Sequence, residues 1–292
     1  MEAQGLSRPI TIQGDFVLRK ALGKVLPHAV RSRIKDLLRM PQVERSVALK
    51  GEVEFWRNWL STKGMYWPDD FRARLDPEHP LGGHLAPYVD RVDATDVRIL
   101  DVGSGPLTKL GKTHPSKRLE ITATDLLADD YDRLLAELGV VPPVRTVYAD
   151  AERLVERFGD GAFDIVHAQN CIDHTADPHR AIEQMVAVTK PGGWVVLYHA
   201  ENEGQREDYN QLHQWNFTCE QGAFVIRDRL GRAVNVTQRL AALCDVECSR
   251  VGESPSAVPE GMNEADVPRE ARPDVAILTG IHKRASADVA RQ

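Results

Sequence analysis

Hydrophobic positions recur along this chain with two different periods. Residues 16–40, FVLRKALGKVLPHAVRSRIKDLLRM, are apolar at helical spacing, and Pro27 divides them into two short helices. Residues 51–62, GEVEFWRNWLST, predict another helix. The next segment, KGMYWPDDFRARLDPEHPL, is rich in aromatics and prolines and predicts an ordered loop with short turns. From about residue 97 the pattern changes. Short apolar runs (VRILDVG, RLEITATD, VRTVYAD, AFDIVHAQ, GGWVVLYH) alternate with helical stretches such as LADDYDRLLAELG, AERLVERFG and DPHRAIEQMVAVTK. That alternation implies βαβ units around a parallel sheet.

The C-terminal part departs from it. DVECSRVGE and DVAILTGIHKR are strand-like, with no convincing helix between them, and predict an antiparallel pair closing one sheet edge. The intervening SPSAVPEGMNEADVPREAR predicts a long loop over the active face. The expected division is an N-terminal helical extension and active-site lid over 1–90, followed by an α/β domain over 91–292.

Composition narrows the class. The chain is 42% hydrophobic and 27% charged, the balance of a globular protein. It has no run of about 18 apolar residues, and its first residues, MEAQGLSRPI, lack an apolar signal core, so a cytoplasmic protein without a transmembrane segment is expected. Cys171, Cys219, Cys244 and Cys248 form no C-x-x-C pair, which favours free thiols over a zinc site. The net charge of −6 is uneven: residues 1–50 hold ten basic side chains against four acidic ones. Basic N-terminal helices suit a solvated face or an acidic neighbour, and a homodimer is compatible with them. The acidic remainder argues against a nucleic-acid substrate, whose channel would be basic.

Candidate chemistry lies at the ends of the strand-like runs. ILDVGSGPLT ends in a glycine turn after Asp101, comprising Gly103, Ser104 and Gly105. Glycines let the backbone approach a ligand closely. Thr108 replaces the third glycine of a dinucleotide fingerprint and Pro106 removes an amide, so the loop fits a ligand without phosphates better than NAD. Asp125 ends the next run, placed to accept hydrogen bonds from ribose hydroxyls, and Asp150 ends the third, where a carboxylate suits an adenine amine.

The set DVGSG, ATD, YADAE, FDIVHAQ and KPGG, in this order and spacing, resembles the class I S-adenosylmethionine-dependent methyltransferases over roughly residues 97–200. The resemblance implies an α/β, Rossmann-like seven-stranded sheet with helices on both faces and an antiparallel last strand. It implies that Asp101, Gly103, Ser104 and Gly105 lie at the cofactor's methionine part and that Asp125 holds the ribose. By the same resemblance Leu126 packs on the adenine, Asp150 and Ala151 bind its amine, and Gln169 lies beside the sulfonium.

A hydroxyl acceptor must be aligned and deprotonated. NCIDHT (Asn170, Asp173, His174) and HAENEG (His199, Glu201, Asn202) are expected to face one cleft at adjacent strand ends. Asp173, Glu201 and Asn202 offer hard oxygen ligands suited to Mg²⁺. His174 or His199 is the candidate proton acceptor, although each also fits a structural role, as a helix-start residue and a core histidine. Tyr66, Trp67, Tyr209, His213 and Trp215 are candidate acceptor-pocket residues. EFWRNWLSTKGMYWPDDFRARLDP and HAENEG with LHQWNF resemble bacterial sugar O-methyltransferases, such as those of mycobacterial methylmannose polysaccharide synthesis. That resemblance implies methyl transfer to a hydroxyl of a sugar or oligosaccharide, with Mg²⁺ as an optional cofactor. The alternatives are an N- or O-methyltransferase of an aromatic metabolite or peptide, and a non-catalytic protein that binds S-adenosylmethionine and docks on a partner.

Overall fold

The computed structural model describes residues 45–253 and 275–285. The two helices expected within 16–40 and the expected loop over 254–272 lie outside them.

Seven strands form one sheet, in the order β3-β2-β1-β4-β5-β10-β9. They are β1 (Asp96–Val102), β2 (Arg118–Asp125), β3 (Thr146–Tyr148), β4 (Phe163–Gln169), β5 (Thr189–Ala200), β9 (Cys244–Glu253) and β10 (Val275–Lys283). The first five pair in parallel. β10 is antiparallel to both β5 and β9, as the two C-terminal apolar runs predict. β1 and β4 are near-continuously buried because both sheet faces are covered, which is why their sequences do not alternate.

The flanking helices follow their sequence patterns. α4 (Ala128–Leu138) buries Ala128, Tyr131, Leu134 and Leu135 at helical spacing, and Gly139 ends it at φ +65°. α6 (Pro178–Val188) starts on Asp177, whose side chain accepts the His179 and Arg180 N–H groups. It buries Ile182, Met185 and Val186 against Leu100, Val166 and Leu197 of the sheet. The run AERLVERFG becomes a 3₁₀ turn, Ala151–Arg153, followed by α5 (Leu154–Phe158).

Two regions differ from expectation. The segment 63–81 contains a helix, α2 (Pro68–Leu75), where an ordered loop was expected. Pro68 stands in its first turn, where a proline has no amide to lose, and Asp69 and Asp70 favour that end. The second difference lies after β5. The short α7 (Glu203–Arg206) leads into a three-stranded antiparallel sheet of β6 (Trp215–Glu220), β7 (Ala223–Asp228) and β8 (Ala233–Asn235). Phe217, Phe224 and Ile226 pack into the same core as α6, together with α8 (Val236–Leu240).

α1 (Arg45–Ser61) and α2 pack on α4 and the loop after β1: Trp59, Leu60 and Phe71 share a cluster with Leu107, Tyr131, Leu134 and Leu135. α3 (Ala86–Asp90) covers the opposite sheet face, where Leu85, Tyr88 and Val89 meet Ile99, Ile165 and Val196. The four cysteines are free, Cys219 and Cys244 buried and Cys171 and Cys248 half-buried.

Candidate functional site

The glycine turn follows β1 directly. Gly103 and Gly105 have φ of +66° and +65°, conformations that a side chain disfavours. A Cβ on Gly105 would lie 2.6 Å from Cζ2 of Trp56, and one on Gly103 would lie 2.6 Å from Sγ of Cys171. Asp125, at the tip of β2, accepts the Gly105 N–H on Oδ2 (3.1 Å) and the Leu127 N–H on Oδ1 (2.9 Å). Burial pushes its carboxyl up to about 6, against the opposing pull of those two amides. Each oxygen keeps further accepting capacity for a hydroxyl donor. Leu126 follows it, half-buried. Asp150 caps the 3₁₀ turn containing Ala151 by accepting the Glu152 N–H (2.9 Å). Ser104 lies beneath the turn, its hydroxyl 3.1 Å from that of Thr146.

Asp101 is buried, and both of its oxygens are engaged by protein. Thr108 donates to Oδ2 (2.6 Å), and Nδ1 of His167 lies 2.8 Å from Oδ1. His167 continues to His84, with Nε2 to Nε2 at 3.2 Å. Burial, then the neighbouring His167, holds His84 far down at about 3, so it is neutral at ordinary pH. This chain braces the strand end from below.

Gln169 ends β4, and its Oε1 is buried with no hydrogen-bond partner. A buried orphan acceptor beside a glycine turn is what a bound donor group would satisfy. The orphan acceptor, the side-chain-free turn and the spare capacity of Asp125 fit a nucleoside ligand of the kind that the motif set implies.

The acceptor side differs from expectation in composition. Asp173 is buried in the 3₁₀ turn Ile172–His174, and its Oδ2 lies 3.0 Å from Nδ1 of His213 and 3.6 Å from Nε2 of His174. The two imidazole nitrogens are 3.2 Å apart. Burial would raise the Asp173 carboxyl, but His174 and His213 overcome it and hold it well below the usual carboxylate range. Burial likewise opposes charge on His213, yet the hydrogen bond and charge of Asp173 raise its pKa. Glu203 stands close enough to both to interact electrostatically. Burial pushes its carboxyl up, and its Oε2 is buried without a partner.

The expected set of Asp173, Glu201 and Asn202 is therefore corrected. Glu201 turns to Arg250 on β9, accepting Nε on Oε2 (2.7 Å) and an Nη on Oε1 (2.6 Å). Asn202 heads α7 at φ +58° and donates its N–H to Phe217 O (3.0 Å). Glu201 is drawn off by the antiparallel neighbour strand, which places a guanidinium opposite it. The expected proton-acceptor role of His199 is corrected too. Its ring is 2% exposed and lies on Phe217, with centroids 5.0 Å apart. Its Nε2 accepts the Ile172 N–H at 3.3 Å, and burial lowers its pKa to about 4. It is a neutral core histidine that positions the turn carrying Asp173.

The aromatic candidates divide. His213 belongs to the Asp173 cluster. Trp215 is half-buried and its Nε1 donates to Thr175 O (3.1 Å). The Tyr209 hydroxyl accepts from Asn216 Nδ2 (2.7 Å), with its own backbone at φ +52°. Tyr66 is exposed and stacks edge-on with Trp67, whose indole N–H is buried without a partner.

One element spans both halves. α1 sets Trp56 over Gly105, with the indole N–H donating to Glu52 (2.9 Å). At its start Arg45 donates to His174 O (3.0 Å), and a Cβ on Gly51 would lie 3.0 Å from Gln211 Oε1. Glu52 was not singled out in the sequence. Its spacing of four from Trp56 on a helical pattern was the available signal. Nothing local marks His213 as a partner of Asp173, 40 residues away.

Several known proteins are similar to parts of this chain. Residues 100–197 match the family model described as a methyltransferase domain. A ubiquinone/menaquinone biosynthesis C-methyltransferase of Idiomarina loihiensis is 32% identical over 119 residues, covering 36% of this chain and 45% of the relative. A tRNA U34 carboxymethyltransferase of Syntrophotalea carbinolica is 31% identical over 135 residues, 45% of this chain and 37% of the relative. The chain thus spans less than half the length of these curated relatives. Among solved structures, a Burkholderia thailandensis 1,6-didemethyltoxoflavin-N1-methyltransferase superposes with a TM-score of 0.44 at 14% identity, over 84% of this chain and 92% of that one. Residues 100–197 thus carry a methyltransferase domain, within a sheet whose strand order is the one that the S-adenosylmethionine-dependent motif set implies. Among the described residues no helix is long and apolar enough to cross a membrane.

Proposed function

We propose that this protein is an S-adenosylmethionine-dependent O-methyltransferase acting on a hydroxyl of a polyhydroxylated small molecule, of which a sugar or oligosaccharide is the favoured class. The observation that carries this reading is the cluster of Asp173, His174 and His213 at the carboxyl end of β4, four to five residues beyond Gln169 in the case of its first two members. A hydroxyl acceptor needs a group that takes its proton, and a nitrogen with a free lone pair does not.

In this reading Gly103, Gly105, Asp125, Asp150, Ala151 and Gln169 hold the cofactor, which supplies an electrophilic methyl group on sulfur. Asp125 and Gln169 bring accepting oxygens. Trp56 on α1 closes the glycine turn from above and keeps water out, so α1 acts as the lid. The acceptor oxygen attacks the methyl carbon, and a carbon–oxygen bond forms as the carbon–sulfur bond breaks onto sulfur. The hydroxyl proton passes to the polar cluster around Asp173. Tyr66, Trp67, Tyr209 and Trp215 offer ring faces and polar edges suited to sugar rings. The acidic charge of the chain beyond residue 50 favours a small-molecule acceptor over a nucleic acid.

The test is transfer of labelled methyl from S-adenosylmethionine to a panel of sugars, methylated mannosides, flat aromatic hydroxyls and amines. Transfer to saccharides, lost in His174→Ala with product-nucleoside binding intact, is the expected result. Transfer confined to amines would overturn the hydroxyl reading. Cofactor binding with no product from any class would favour a non-catalytic binding protein.

A further inference from the structure

Three ligand atoms from two distant stretches lie close together beyond the end of β4: Oδ2 of Asp173, Nε2 of His174 and Nδ1 of His213. Their separations are 3.0, 3.2 and 3.6 Å. A cation about 2.0–2.1 Å from each of three such atoms, at tetrahedral angles, would set them about 3.3 Å apart. The observed triangle is that size.

The donor chemistry of the cluster points the same way. Each of the three atoms can offer a lone pair when the imidazoles are neutral and the carboxylate is ionised. A divalent cation at the centre would use all three lone pairs at once. Burial is graded in a matching way. The Asp173 side chain is 4% exposed, whereas those of His174 and His213 are 21% and 30% exposed. The ligand set is anchored on its inner side and open on its outer side, the pattern of a centre that leaves coordination positions free.

We propose that Asp173, His174 and His213 bind a divalent transition cation of the zinc class, with the open positions taking an acceptor hydroxyl oxygen. Two imidazoles and one carboxylate favour such a cation over Mg²⁺, which prefers an all-oxygen shell. The site is independent of Glu201, which is committed to Arg250. His199 stands behind it, fixing the Ile172 amide and hence the turn that presents Asp173 and His174. The functional part of this inference rests on the hydroxyl-acceptor reading above: a hydroxyl bound to the cation is more acidic, and its proton leaves to solvent on the open side of the cluster, where His174 and His213 are partly exposed.

The experiment uses the full, tag-free chain, stripped with chelator and titrated with Zn²⁺, Co²⁺ and Mg²⁺ by calorimetry. Co²⁺ visible absorption reports the ligand set. One tight cation per chain is expected, with Zn²⁺ and Co²⁺ at least about 10-fold tighter than Mg²⁺. Asp173→Asn and His213→Ala should each weaken binding by about 10-fold or more, with folding checked by circular dichroism, while Glu201→Gln retains wild-type affinity. Wild-type binding no tighter than that of the folded His213→Ala variant would overturn the site, as would equal affinity for Mg²⁺ and Zn²⁺. Product-nucleoside binding and methyl transfer are measured on the same samples. A cation bound at the cluster without any transfer would count against the hydroxyl-acceptor reading alone, and undiminished transfer by cation-free protein would count against the cation's role alone.

Discussion

The proposed cofactor end and acceptor end of the site are built on different principles. At the cofactor end, each group stands within a few residues of its own strand tip: the glycine turn on β1, Asp125 on β2, Asp150 after β3. At the acceptor end, the cluster joins a turn after β4 to a loop before β6, and the most conspicuous acid after β5 is diverted to Arg250. Local chain geometry makes the first end, so a short motif can carry it. Tertiary packing makes the second, so the most polar stretch of sequence was a poor guide to which of its members meet.

The largest expected effect tests whether the acceptor end alone carries proton chemistry. Asp173→Asn should lower methyl transfer by about 100-fold or more, the loss expected when the acceptor hydroxyl is no longer helped to shed its proton, while product-nucleoside affinity changes by less than about 3-fold on the factor-of-two-to-three scatter usual for remote sites. Equal loss of both would mean that the two ends are not separable. Next, Gly105→Ala should weaken product-nucleoside binding by about 10-fold, or about 1.4 kcal/mol. The new methyl meets Trp56 at 2.6 Å and the φ of +65° is strained for alanine. Calorimetry on Gly105→Ala with and without Trp56→Ala separates the contact from the strain, since only the contact is relieved in the double variant.

Asp125 gives a pH prediction. Its carboxyl is raised to about 6 by burial, against about 3.9 in an unfolded chain. The penalty of holding it ionised is absent below the unfolded value and complete above about 6, so this group makes the fold less stable as pH rises through that window. A ligand donating hydroxyls to the ionised form should bind more tightly as pH rises from 5 to 7, and Asp125→Asn should flatten that profile. A wild-type profile as flat as that of Asp125→Asn would remove Asp125 from the cofactor site.

His199→Ala is expected to lower stability by roughly 1–3 kcal/mol, because the buried ring and its hydrogen bond to the Ile172 amide are lost. The pH–rate profile should keep its shape, as a core residue requires; a shifted limb would return His199 to the acid–base machinery. The smallest effect belongs to Glu201→Gln. Its partner Arg250 is exposed, so denaturation midpoint and turnover should both stay close to wild type.

Much of the fold was legible because the signals are periodic. The alternation of buried runs and amphipathic helices from residue 97 onward, Asp177 before Pro178, and Gly139 after Leu138 each announce an element by local physics. α2 was missed because its prolines and aromatics read as loop, although Pro68 is a good first-turn residue. The three-stranded sheet was missed because Tyr209, His213 and Trp215 were read as pocket residues and no element was assigned to residues 218–235. Phe217 is core, not lining.

By itself, the sequence determined the seven-stranded sheet, the helices between its parallel strands and the glycine turn, since backbone periodicity and a turn needing positive φ are properties of neighbouring residues. Only the tertiary structure decided the acceptor end. His213 reaches Asp173 because β6 and the chain leading into it fold back onto the turn Ile172–His174. Glu201 leaves because antiparallel β10 brings β9 and Arg250 beside it, and His199 is silenced because Phe217 closes over its ring. Charge pairing and burial act across space, and they set which polar groups stay available for chemistry.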